Sequence, residues 1–107
     1  MTDVVLAVDG TSGDAELEHR LATVMAEYMA LWKKKQRSYG PHNIGAFGEQ
    51  GCLIRANDKI QRLRRALFMQ KDVSLDDETL EDTWKDLIGY ALMGLLCHRR
   101  QWPGVGE

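Results

Sequence analysis

The sequence lacks most of the features that mark specialised protein classes. Its two cysteines, Cys52 and Cys97, have no CxxC or comparable ligand spacing. In a cytoplasmic chain both read as reduced packing residues, which excludes a disulfide scaffold. No apolar run is long. The longest, LIGYALMGLLC at 87–97, is too short and too interrupted to span a bilayer, so no membrane partner is expected. Neither sign of charge dominates, with 14 Lys and Arg against 16 Asp and Glu. A general nucleic-acid coat would be basic overall, so no direct nucleic-acid binding is expected. The chain opens with no signal-peptide pattern, which makes the cytoplasm the expected location. There is no P-loop and no GxGxxG, and no Ser-His-Asp or Cys-His arrangement argues for covalent catalysis. Internal repeats and low-complexity tracts are also missing.

What remains is a chain of 107 residues, 44% hydrophobic and 28% charged, a normal balance for one small globular domain. Residues 1–11 contain VVLAV, which suits a tail, a swapped strand or a dimer contact. Residues 12–101 read as an all-α domain of three helices, and 102–107 as a C-terminal tail. For the first helix, Thr11 or Ser12 offers an N-cap, with Asp14 and Glu16 in the first turn. Leu17, Leu21, Val24, Tyr28 and Leu31 then form a narrow seam suited to a neighbouring helix. This helix should end near Arg37, before Gly40-Pro41. A glycine-rich connection, SYGPHNIGAFGEQG, is long for so small a domain, and such loops are often functional.

The second helix is expected from about Glu49 to Gln70, with Leu53, Ala56, Ile60, Leu63 and Leu67 as its core stripe. Ser74 and Asp77 fit a capping box for the third, which should run to about Arg100, before Pro103. That helix carries two stripes. Leu80, Trp84, Leu87, Ala91 and Leu95 form an ordinary core face, while Asp82, Asp86, Gly89 and Met93 begin acidic and end apolar. Ionised carboxylates at the mouth of such a seam need cationic partners. Trp32 and Trp84 occupy core phases, and His19 and His98 belong to no motif.

Helix two supplies cations. Arg55, Asp58, Lys59 and Arg62 share one face, which on its own reads as a solvated surface. If that face meets the acidic stripe, Asp58 joins Asp82 and Asp86 beside Arg55, Lys59 and Arg62. Mg²⁺ prefers oxygen ligands and binds through a few carboxylates and the phosphates of a substrate. Arg and Lys would neutralise those phosphates. The run KKKQR, Lys33 to Arg37, complements the dipole at the end of helix one or lines an entrance for a polyanion. Tyr39 offers a ring for stacking, and His42 and Asn43 offer hydrogen bonds to a base edge.

The blocks KKKQRSYGPHN, GCLIRANDKIQRL and EDTWKDLIGYALM, in that order across residues 30–97, resemble the nucleotide-modification-associated domain of bacteriophage proteins. That group is similar to the all-α MazG-like and dimeric dUTPase superfamily of nucleoside triphosphate pyrophosphohydrolases. The matching pattern is Lys35 to Gly40, then Arg55, Asp58-Lys59 and Arg62, then Glu81-Asp82, Asp86 and Tyr90. The resemblance implies a helical bundle built by dimerisation or higher association, and a Mg²⁺-dependent cut between the α and β phosphates, with Mn²⁺ as a substitute ion. It implies Asp58, Asp82 and Asp86 as metal ligands, and Glu81 as a further ligand or the base for water. Arg55, Lys59 and Arg62 would take the phosphates, with Lys35, Tyr39 and Asn43 as further substrate contacts. Where the superfamily has ExxE and ExxD, this chain has Asp58 with Arg62, and Asp82 with Asp86 four residues apart.

Three readings follow. The first is a nucleoside triphosphate pyrophosphohydrolase of phage nucleotide metabolism or DNA modification, acting in the host cytoplasm as a homodimer or higher oligomer. The second is a binding module of the same fold that does not cut. The third is a structural protein whose helices dimerise and whose charged faces make interhelical salt bridges.

Overall fold

A computed structural model describes residues 7–69 and 78–105. The protein is all-α, with α1 at Ala15–Tyr39, α2 at His42–Leu67 and α3 at Leu80–His98. The chain divides into two compact units, Met1–Lys35 and Gln36–Glu107.

In the first unit, α1 is capped by Asp14, whose Oδ1 accepts the Leu17 N–H at 2.9 Å. The expected caps are used otherwise. Ser12 Oγ donates to Glu18 Oε2 at 2.6 Å, and the Ser12, Gly10 and Asp9 backbone N–H groups also donate to the Glu18 carboxylate. Glu18 therefore gathers the turn that leads into the helix. Of the seam expected on α1, Tyr28 is buried, whereas Leu17, Leu21 and Val24 are exposed.

In the second unit, α1 ends at Tyr39 and Gly40 turns the chain at φ 71°. The helix starting at His42 occupies much of the stretch expected to be a glycine-rich connection. It is kinked at Gly48, whose φ of 61° and ψ of −149° suit only glycine. The regular helix beyond the kink begins at the expected Glu49. Helices α2 and α3 then pack antiparallel. Pairs Glu49–His98, Cys52–Gly94, Lys59–Asp86 and Arg62–Thr83 step up one helix and down the other. Gly94 permits the close approach, since a Cβ there would stand 3.4 Å from that of Cys52.

The helices turn different faces inward than the apolar pattern suggests. Beyond the kink, the buried or half-buried positions of α2 are Gly51, Cys52, Ala56, Lys59, Arg62, Leu63 and Ala66. Leu53, Ile60 and Leu67, expected in the core, are exposed. On α3 the inward row is Thr83, Asp86, Gly89, Tyr90, Met93 and Cys97; of the expected core face Leu80 and Leu87 are half-buried, Trp84 and Leu95 about half exposed, and Ala91 exposed. The stripe that begins acidic is thus the one that meets α2. The physical reason is pairing: Lys59 and Arg62 satisfy the acids across the contact, so the polar row tolerates burial.

The expected capping box at Ser74 and Asp77 lies outside the described residues. A capping box is present at Thr79 and Asp82: Thr79 Oγ1 accepts the Asp82 N–H at 3.1 Å, and Asp82 Oδ2 accepts the Thr79 N–H at 3.3 Å. At the other end of α3, the Gln101 N–H bonds the Leu96 carbonyl and the Arg100 N–H that of Cys97, with Arg100 at φ 56°. This Schellman turn reverses the chain. Trp102, expected in a C-terminal tail, is thereby buried at 5% exposure, and its indole N–H donates to the Pro41 carbonyl at 3.0 Å. A Cβ on Gly45 would stand 2.4 Å from the Pro103 carbonyl oxygen, so the 102–104 segment presses on the first turns of α2.

Candidate functional site

Two features of the second unit carry chemistry, an ionic centre between α2 and α3 and a pocket beside the Gly48 kink. The ionic centre grows from the i, i+3 spacing of Lys59 and Arg62, which aims both side chains from α2 toward the start of α3. Lys59 Nζ lies 2.8 Å from Glu78 Oε1 and 3.0 Å from Asp86 Oδ2. Arg62, 8% exposed, places Nε 3.0 Å from Glu78 Oε2 and 3.1 Å from Thr83 Oγ1, and its Nη2 donates to the Glu78 carbonyl at 2.6 Å. Thr83 is fully buried. Its hydroxyl accepts from Arg62 and stands 2.6 Å from Glu78 Oε2 and 3.0 Å from the Thr79 carbonyl, either of which can take its single proton.

Burial of this kind needs satisfied partners, and no buried side-chain nitrogen or oxygen among the described residues lacks one. Desolvation is the largest single influence on Lys59 and works to lower its pKa. The hydrogen bonds and charges of Glu78 and Asp86 together outweigh it, holding the ammonium above its ordinary 10.5. Lys59 is therefore a firmly protonated cation between two carboxylates.

The residues expected to hold a metal are dispersed. Asp86 is bound to Lys59, Asp82 serves the α3 cap, and Asp58 is exposed on α2. Glu81 is exposed and lies 3.7 Å from Lys85, one turn away on the same helix. Among the described residues no group of three His, Cys, Asp or Glu side chains is arranged to hold an ion. Of this expected set, Asp86 faces a cation of α2, the Lys59 ammonium, at 3.0 Å. Glu78 and Thr83 were not singled out by sequence. The available signal was that two inward cations one turn apart require acids opposite them.

The pocket has a volume of about 230 Å³. It brings together Asn43 and Arg55, two expected substrate contacts, with Ile44, Phe47, Ile54 and Cys52. The kink makes this concavity, because the helix axis breaks at Gly48 between the turn that carries Asn43 and the turn that carries Arg55. Phe47 lies across Gly51, where a Cβ would stand 2.5 Å from that of Phe47. Phe47 and Ile54 remain 68% and 64% exposed, so the floor is open to a planar ligand. Of the other expected contacts, Tyr39 is exposed outside this lining, and Lys35 is exposed in the first unit.

Beneath the pocket, the Cys52 thiol meets that of Cys97 on α3. Burial first, and then the neighbouring thiol, push the pKa of Cys52 up to about 11. It is a packing thiol with little thiolate character at neutral pH. No helix among the described residues is long and apolar enough to cross a membrane. Compared with known proteins, the chain matches no family model, no curated protein and no solved structure.

Proposed function

We propose that this protein is a nucleotide-binding module that holds its ligand at the kinked start of α2 and does not cut it. The observation that carries this reading is the joining of Asn43 and Arg55 around an apolar floor that includes Phe47. An aromatic ring and two isoleucines suit the face of a base, the Asn43 amide suits its edge, and the Arg55 guanidinium suits a phosphate. A volume near 230 Å³ suits a base better than a whole nucleotide, so the phosphates would extend along the surface of α2. The resemblance of the three blocks to the nucleotide-modification-associated domain points to the same ligand class. Binding is favoured over Mg²⁺-dependent release of pyrophosphate because Lys59 already engages Asp86, and Asp82 serves the α3 cap.

Calorimetry with a panel of ribo- and deoxyribonucleoside triphosphates tests the reading. Saturable binding is expected, and Arg55→Ala should weaken it by about 1.5–3 kcal/mol, the range for a hydrogen bond to a charged group. A monophosphate should lose less. No binding by any nucleotide would overturn the proposal, and pyrophosphate release with Mg²⁺ or Mn²⁺ would restore the hydrolytic reading.

A second reading, self-association, has its own observation. Leu53, Ile60 and Leu67 form one exposed heptad row on α2, and Trp84 and Leu95 are exposed on α3. A homodimer or larger oligomer is expected by light scattering at tens of micromolar protein, roughly the range in which such interfaces hold. Ile60→Asp should shift it toward monomer. A monomeric parent at that concentration would remove this reading without touching the first.

A further inference from the structure

We infer that Lys59 is the resident cation of the α2–α3 centre, its ammonium filling the position between Glu78 and Asp86 that a divalent ion would otherwise take. The two carboxylates come from the lead-in and the second turn of α3, and their oxygens converge on one nitrogen at 2.8 and 3.0 Å. Side-chain exposures of 21% for Lys59, 23% for Glu78 and 14% for Asp86 keep bulk water from doing the same work. The second oxygen of Glu78 is taken by Arg62 and Thr83. An incoming Mg²⁺ would have to expel an ammonium whose charge these carboxylates already stabilise, and would meet the Arg62 guanidinium beside it. A fixed side chain has two further consequences. It cannot be removed by a chelator, and it offers no bound water to activate. The centre is therefore a permanent structural clasp whose state is independent of the metal supply.

Mn²⁺ titration followed by electron paramagnetic resonance tests this, with no nucleotide present, so that its outcome is separate from that of the nucleotide reading. The parent protein is expected to take up no stoichiometric Mn²⁺, and its melting temperature should be the same in Mg²⁺ and in EDTA. Lys59→Met keeps a stem of similar length and removes the charge, leaving Glu78 and Asp86 facing each other. This variant should bind one Mn²⁺ per chain, at least roughly tenfold more tightly than the parent. The site should vanish when Asp86→Asn is added. Lys59→Gln provides a second variant that retains a hydrogen-bond donor if the methionine form folds poorly. One Mn²⁺ bound per parent chain and lost in Asp86→Asn would overturn the inference. So would a folded Lys59→Met or Lys59→Gln protein that gains no affinity for Mn²⁺.

Discussion

Replacing Arg62 with alanine is expected to destabilise the protein by about 3–5 kcal/mol, the cost of removing one partner from a buried ion pair. The side chain is 8% exposed and contacts the Glu78 carboxylate, the Glu78 carbonyl and the Thr83 hydroxyl. Its loss leaves Glu78 without the guanidinium and Thr83 without a donor, in a place water reaches poorly. Urea unfolding followed by circular dichroism should show the loss, and the melting temperature should fall by roughly 10 °C or more. Arg62→Lys should not restore it, because an ammonium cannot reproduce the separate contacts of Nε and Nη2. Thr83→Val should cost less, about 1–3 kcal/mol, and the two changes should couple when combined. A loss below about 1 kcal/mol for Arg62→Ala would mean that the pair behaves as a solvated surface contact. The contrast with Arg55 is diagnostic: removing that exposed arginine should leave stability nearly unchanged while weakening ligand.

Trp102→Ala should also be costly, by about 3–5 kcal/mol, the range for truncating a buried aromatic. The indole is 5% exposed and bonds the carbonyl of Pro41, across nearly the whole length of the second unit. Its loss frees the chain end from the first turns of α2, where Asn43 and Ile44 line the pocket. Stability and nucleotide affinity should therefore fall together in calorimetry. Trp102→Phe should keep most of the packing and lose about 0.5–1.5 kcal/mol with the N–H bond. A chain shortened to end at Gln101 and melting as the parent does would refute the docking of this segment.

The helix count and class were legible because three long periodic stretches are separated by Gly40-Pro41 and by the polar segment before Leu80. The faces were not. Apolar periodicity pointed inward with Leu53, Ile60 and Trp84, whereas the contact is made by Cys52, Lys59, Thr83 and Asp86. Hydropathy treats each charged residue as a cost and cannot see that Lys59 and Arg62 cancel the cost of Glu78 and Asp86. The expectation that α3's acids need cationic partners had the chemistry in hand, and Asp86 with Lys59 met it. Asp82 did not, because two acids one turn apart look alike in sequence while only one is required by the helix cap. Asn43 and Arg55 were singled out from residue type, and both line the pocket. The pocket that joins them depends on the kink at Gly48, and one glycine among four in that stretch gave no sign of being the break.

The clasp of Lys59 and Arg62 also determines which packings the hairpin rejects. Leucines and alanines are interchangeable neighbours, so sliding α3 along α2 by one turn would cost an apolar contact little. The slide that brings Tyr90 into the place of Asp86 would move Asp86 and Glu78 by about 5.4 Å, one helical pitch, and leave Lys59 facing an aromatic ring. Each stranded charge would raise the misaligned form by several kcal/mol, on the order of the whole stability of a small domain. The ionic centre thus separates the native hairpin from near-degenerate competitors, and does so at the end of the hairpin farthest from the pocket. Substitutions in the exposed rows Leu53, Ile60 and Leu67 are then free to change what the surface meets without changing which pairing the helices adopt.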